Sequence, residues 1–136
     1  MADTFQLEIV TPEKMVVNEQ AEEAQIPGKQ GYLGILAGHA PLITELAVGE
    51  ITYRSGGQTH YLAVAWGFAE VLPDKVTILA ETAERPQEID VKRAQESKQR
   101  AEERLNSGKT EVDYTRAEDA LQRAETRLQV AQKVQS

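Results

Sequence analysis

Residues 76–101 read VTILAETAERPQEIDVKRAQESKQRA, and the change of character inside this stretch decides the fold. Up to Ala80 the chain is apolar and β-branched. After Pro86 it turns to Ala, Glu, Gln and Arg, all good helix formers, with no further proline. The same break divides the whole chain. All 5 prolines, and every glycine but Gly108, precede residue 88. Residues 1–87 carry 12 acidic and 5 basic side chains, residues 88–136 carry 10 of each, so the net charge of −7 sits entirely in the first part. Two kinds of polymer are joined near Pro86, which places one domain at 1–87 and a second at 88–136.

Upstream of the break, short β-rich runs alternate with turn signals, the pattern of a sandwich or barrel. Phe5, Leu7 and Ile9 alternate with Gln6 and Glu8 until Pro12. A longer, more polar stretch from Met15 to Gln25 closes with Ile26-Pro27-Gly28. Ile51 to Tyr53 and Tyr61 to Val64 flank the hairpin signal Ser55-Gly56-Gly57, and Phe68 to Leu72 and Val76 to Leu79 flank Pro73-Asp74. Connections this short require antiparallel pairing. The segment Gly28 to Leu42 has two readings: tight turns that need positive φ, or a shaped loop presented to a partner.

Downstream, Asp90 is placed to cap a first helix whose apolar stripe is Val91, Ala94, Ala101 and Leu105. Asn106-Ser107-Gly108 supplies a stop, with Gly108 suited to the left-handed cap. Thr110 and Asp113 have capping-box-like spacing for a second helix, with the stripe Tyr114, Ala117, Leu121, Ala124, Leu128 and Ala131. Steps of 3 and 4 make this an a/d seam, but a thin one, because half its members are Ala. The fold class is therefore mainly β plus α, an antiparallel β-sandwich followed by an antiparallel two-helix hairpin.

The two helices share a near-repeat offset by 23 residues: Arg93-Ala94, Gln99-Arg100-Ala101-Glu102 and Arg104-Leu105 recur as Arg116-Ala117, Gln122-Arg123-Ala124-Glu125 and Arg127-Leu128. Each helix thus carries a basic stripe beside its apolar one. One reading is a solvated face laced with exposed ion pairs, each worth under about 1 kcal/mol. The other is that Arg93, Arg100, Arg123 and Arg127 converge on a polyanion, since guanidinium matches phosphate bidentately.

Much chemistry is excluded. There is no cysteine, hence no disulfide or thiolate metal site. His39 and His60 stand alone, without ligand-spaced neighbours, so no metal site is expected. Gly108-Lys109-Thr110 imitates the end of a P-loop, but Glu103 occupies the place of the first glycine and no strand precedes. No nucleophile or acid/base pair suggests catalysis. The acidic balance argues against nucleic acid. The longest stretch without a polar side chain, Leu62 to Ala69, is far short of the roughly 20 residues of a membrane span. The N-terminus lacks a secretory pattern.

Gly34-Ile35-Leu36-Ala37-Gly38-His39-Ala40-Pro41-Leu42-Ile43-Thr44, Trp66-Gly67-Phe68-Ala69-Glu70-Val71 and Val76 to Glu84 together resemble the epsilon subunit of bacterial F-type ATP synthase, essentially end to end. Two departures stand out: Ala37 replaces the usual Pro, and Trp66 replaces the usual Gly. The resemblance implies a non-catalytic subunit of the central stalk that couples proton flow to ATP synthesis. Its sandwich would lie beside the gamma subunit and the c-ring, with Gly31, Tyr32, Gly38, His39 and Pro41 on the facing loop. Its hairpin would be an arm that extends along gamma toward the alpha and beta subunits and blocks ATP hydrolysis, with Arg116, Arg123 and Arg127 meeting acidic surface there.

Some family members bind ATP on the folded hairpin through an Ile/Leu-Asp-x-x-Arg-Ala motif, which here reads Ile89-Asp90-Val91-Lys92-Arg93-Ala94. By resemblance, Glu84, Ile89, Asp90, Arg93, Arg100, Arg123 and Arg127 fall at that site. ATP would be a regulatory ligand, with no obligatory cofactor. The implied location is peripheral, on the cytoplasmic face of a bacterial plasma membrane, without insertion. The rival reading is a free-standing ATP-sensing module with no rotor partner.

Overall fold

Alternation of buried and exposed residues builds the first part of the chain. In the computed structural model, which describes residues 3–107 and 110–135, eight strands come first. They are β1 (Phe5–Val10), β2 (Met15–Ala21), β3 (Glu23–Gly28), β4 (Gly31–Leu36), β5 (Leu42–Leu46), β6 (Gly49–Ser55), β7 (Gln58–Val71) and β8 (Lys75–Glu84). A 3-10 turn (Pro86–Glu88) follows, then α1 (Val91–Asn106), α2 (Glu111–Ala131) and a closing 3-10 turn (Gln132–Gln135). α1 ends at Asn106 with Ser107 as its cap, where the stop was expected, while Gly108 and Lys109, and with them the expected left-handed cap, lie outside the described residues. The chain divides between Glu84 and Arg85 into two compact units.

The first unit is a β-sandwich. Its strand order is β2-β1-β8-β7-β5-β3-β4, with β6 pairing β3 and β7. Every pair is antiparallel except β1 with β8. That exception is natural, because nearly the whole sandwich serves as the connection between those two strands. Phe5, Leu7 and Ile9 of β1 turn inward with Ile26, Ile51, Leu62, Val64 and Ile78, all within 2% of full burial. Both expected hairpins form, β6–β7 around Gly56-Gly57 and β7–β8 around Pro73-Asp74.

The long β7 serves two neighbours on one edge. Residues 58–64 pair with β6 and residues 67–71 with β5. The changeover falls at Trp66, which has no partner on β8: Ala65 pairs with Thr82 and Gly67 with Ala80. The register is continuous across this point, and Trp66 stands there at φ +56°, a left-handed conformation that costs a bulky residue roughly 1–2 kcal/mol. The glycine that the resemblance implies at this position would adopt that φ without strain. Gly67 beside it is obligatory, with φ +130° and a Cβ position that would overlap the Leu79 carbonyl oxygen.

The Gly28 to Leu42 stretch departs from its sequence reading. Glycine-rich composition suggested loop, yet Gly31 to Leu36 form β4, paired residue by residue with β3. Only Gly31 and Gly38 of its four glycines have positive φ. Leu33 and Ile35 supply the inward face that holds the segment as a strand. The stretch from Met15 to Gln25 likewise splits at Glu22 into β2 and β3.

Glu22 ties that corner to the β6–β7 turn. Its Oε1 accepts from Gly57 N at 2.8 Å and its Oε2 from Arg54 Nε at 3.1 Å. The Gly57 amide first, and Arg54 with it, holds the carboxyl below the usual carboxylate range. A depressed folded pKa gives stability that is full above the unfolded value and lost as pH falls through the folded one. Below about pH 4.5, wild-type stability should therefore fall more steeply than that of Glu22→Gln. Urea midpoints measured across that range check it; parallel curves would refute it.

The second unit is the helical hairpin. Asp90 caps α1, its side chain accepting from Arg93 N at 3.0 Å, and Thr110 caps α2 by accepting from Asp113 N at 3.2 Å. Ala94 and Ala101 are buried, as are Ala117, Ala124 and Ala131, while Leu105, Leu121 and Leu128 are half-buried. Two expected seam members are corrected: Val91 and Tyr114 are 43% and 51% exposed. Both stand in the first turn of their helix. Val130 is fully buried instead, near the end of α2 where the two 3-10 turns come together.

Candidate functional site

On the outer face of the sandwich, register aligns a row of large apolar side chains. Phe68 on β7 stands opposite Leu79 on β8, Leu79 opposite Val10 on β1, and Val10 opposite Met15 on β2. Ile43 on β5 lies diagonal to Phe68, because Glu45 is Phe68's direct partner. Directly opposed side chains on one face are about 5 Å apart. Ile43 is 71% exposed, Phe68 and Leu79 are each 54% exposed and Met15 is 49% exposed. A row of this kind on an exposed face is a candidate docking surface. Glu45, Glu70 and the Lys75–Glu8 ion pair, 3.1 Å long, flank it with charge.

Sequence reasoning placed Phe68 and Leu79 in strands but gave them no role. The signal was there: Phe68-Ala69 and Ile78-Leu79 break the alternation of a half-buried strand with apolar neighbours, so both faces of β7 and β8 are apolar at those points.

The five residues expected on one partner-facing loop are not brought together. Gly31 and Tyr32 begin β4, whereas Gly38, His39 and Pro41 follow its other end. Four further strand residues, Leu33 to Leu36, separate the groups by more than roughly 13 Å. Tyr32 is 59% exposed and its hydroxyl accepts from Glu50 N at 3.0 Å. At the far end, Gly38 N donates to Pro73 O at 2.7 Å, fastening the β4–β5 turn to the β7–β8 turn. The His39 ring donates from Nδ1 to Ala40 O at 2.7 Å, and Pro41 is exposed.

In the hairpin, each arginine of the near-repeat comes immediately before a seam residue: Arg93, Arg100 and Arg104 on α1, and Arg116, Arg123 and Arg127 on α2. All six therefore share one flank of their own helix. In an antiparallel pair equivalent flanks meet on the same side, so the hairpin displays its arginines along a single side. Arg93, Arg100, Arg116 and Arg123 are exposed and Arg127 is half-buried. Arg100 Nη2 donates to Ser97 Oγ at 3.1 Å. Among the described residues no ion pair holds Arg93, Arg100, Arg116 or Arg123, so the carboxylate partners of a solvated, ion-paired face are not engaged there. Asp90 is occupied as the α1 cap, Ile89 is buried and Glu84 ends β8 in the first unit. Among the described residues, no group of three or more His, Asp or Glu is arranged to hold a metal ion.

The chain matches two family models in succession, the ATP synthase delta/epsilon chain beta-sandwich domain over residues 4–86 and the delta/epsilon chain long alpha-helix domain over residues 87–132. It is 74% identical over 107 residues to the ATP synthase epsilon chain of Koribacter versatilis, covering 79% of this chain and 75% of that one. It is 50% identical over 107 residues to the epsilon chain of Solibacter usitatus, covering 78% and 80%. Among solved structures, a chain of the Euglena gracilis mitochondrial ATP synthase OSCP/F1/c-ring assembly superposes with a TM-score of 0.83 at 25% identity, covering 96% of this chain and 82% of its own. A Tetrahymena thermophila mitochondrial ATP synthase central-stalk/c-ring chain shares the fold, with a TM-score of 0.62 at 12% identity over 97% and 96%.

Proposed function

The chain belongs to the ATP synthase delta/epsilon family, as a non-catalytic epsilon chain of the central stalk, and from that premise we propose how its two units divide the work. The sandwich docks on the gamma subunit through the row Ile43, Phe68, Leu79, Val10 and Met15, the observation that carries this reading. An exposed apolar row flanked by charge is what a rotor contact requires, since it gains area on docking and stays soluble before it. The two ends of β4, Gly31 and Tyr32 at one and Gly38, His39 and Pro41 at the other, divide between the c-ring and gamma. Coupling of proton flow to synthesis then passes through a sandwich fixed to both. The protein lies peripherally on the cytoplasmic face of a bacterial plasma membrane; none of its described helices is long and apolar enough to cross.

The helical hairpin is the regulatory arm. Its buried seam is mostly alanine, so the folded hairpin gains little area, and a few kcal/mol suffice to shift a two-state arm. Folded, its arginine side holds the phosphates of ATP through Arg93, Arg100, Arg123 and Arg127, while Glu84, Ile89 and Asp90 shape the rest. Extended along gamma, it inhibits ATP hydrolysis, with Arg116, Arg123 and Arg127 against acidic surface of a catalytic subunit.

Affinity capture from source membranes tests the rotor assignment: gamma and c subunits co-purify, whereas a free-standing ATP-sensing module brings down neither. Calorimetric titration of the full chain tests the arm. ATP saturates at one site per chain, and Arg123→Ala and Arg127→Ala each weaken it about tenfold or more, the scale of a lost charge-assisted hydrogen bond. Unchanged binding in both variants would remove the arginines from the site.

A further inference from the structure

The sandwich has two edge strands, and they are built differently. β2 carries Asn18, Glu19 and Gln20, follows Glu13 and Lys14, and sits beside a register shift at Ile9/Val10. Charges and bulges of this kind keep a sheet edge from pairing with another chain. β4, at the opposite edge, is Gly-Tyr-Leu-Gly-Ile-Leu, without charge, proline or bulge. Gly31, Tyr32, Gly34 and Leu36 are all exposed.

The direction of its backbone groups follows from the neighbouring bonds. Lys29 N donates to Glu45 O and Ala47 N to Pro27 O, straddling Gly28, so Gly28 turns its own N–H and C=O toward Gly31. Alternate residues of β4 counted from Gly31 thus face β3, and Tyr32, Gly34 and Leu36 face outward. Of these groups only the Leu36 carbonyl has a further partner among the described residues, His39 N at 3.2 Å.

The geometry points to a second copy of this chain as the occupant of that edge. The segment is self-complementary about Gly34. With Gly34 opposite Gly34 in an antiparallel pair, Tyr32 meets Leu36 and Leu36 meets Tyr32 on the outer face, while Leu33 meets Ile35 on the inner one. In this register the outward residues of each copy oppose one another, so N–H meets C=O at every such row; a shift of one residue either way loses that match. Nothing crowds the axis, since a Cβ on Gly34 would have no heavy atom within 4 Å. Beside it lies an open groove of about 470 Å³, lined by Glu23, Gln25, Leu36, Thr52 and Arg54 among others, with room for the partner's Tyr32 over the Leu36 row. This is a self-association of the free chain, independent of the apolar row Ile43, Phe68, Leu79, Val10 and Met15, and it shares Tyr32 with the β4 end proposed above for the rotor.

Sedimentation of the full chain over a wide concentration range tests it, with two substitutions on the axis. The wild type shifts from monomer to dimer with concentration. Gly34→Glu, which sets like charges directly opposite each other, stays at the monomer value with an unchanged circular dichroism spectrum. The chain has no cysteine, so Gly34→Cys carries one thiol, and mild oxidation links it as a covalent dimer while Gln58→Cys, at the start of β7, stays monomeric. A wild type that remains monomeric throughout, a dimer untouched by Gly34→Glu, or equal cross-linking of both thiols would overturn the proposal.

Discussion

Gly67→Ala is expected to lower the stability of the sandwich by about 3–5 kcal/mol, enough to leave much of it unfolded at ambient temperature. Two penalties coincide. The φ of +130° is outside the range of L side chains, and the added Cβ would overlap the Leu79 carbonyl oxygen in the central β7–β8 pair. Neither atom belongs to a flexible side chain, so relief requires the strands to part. The neighbouring Trp66→Gly is the internal control. Relief of the left-handed backbone at φ +56° offsets the packing that the indole ring provides, and the net change stays within about 1 kcal/mol. Urea unfolding of the three proteins reads both effects. A Gly67→Ala midpoint equal to wild type would show that the β7–β8 pairing beside Gly67 is not rigidly held.

Removal of residues 88–136 should leave the sandwich folded and docked while raising ATP hydrolysis by the assembled enzyme several-fold. The first half of that expectation rests on the division between Glu84 and Arg85, which gives each unit its own buried residues. The second half rests on the proposed role of the arm as inhibitor, which its removal would abolish. ATPase activity of enzyme reconstituted with truncated or full-length chain is the readout. Equal activity in both would assign inhibition to another part of the enzyme.

Much of this molecule could be read directly from residue order, and what could not has a physical cause. Phe5, Leu7 and Ile9 alternate cleanly because one face of β1 is buried, and Asp90 and Thr110 announce their helices because orphan amides need side-chain acceptors. β4 was hidden because glycine weakens strand propensity and the compensating contacts of Leu33 and Ile35 are tertiary. Val91 and Tyr114 fit a helical period but stand in the first turns of their helices, where the period says nothing about the end of the contact. The proposed docking row escaped notice because its members come from five strands, and only the registers of β5 with β7, β7 with β8, β8 with β1 and β1 with β2 line them up. The arginine side of the hairpin lay between these cases. Its spacing was visible in the repeat, while its gathering on one side depends on the antiparallel turn.

The most direct test of the rotor assignment is binding of the purified chain to purified gamma subunit, comparing wild type with the double variant Phe68→Asp and Leu79→Asp. Both side chains are 54% exposed and opposite each other, so the substitutions spare the core and place two like charges in the centre of the row. The account predicts a wild-type complex that survives gel filtration and a variant that elutes alone, folded and of unchanged stability. A variant that still co-elutes with gamma would contradict it.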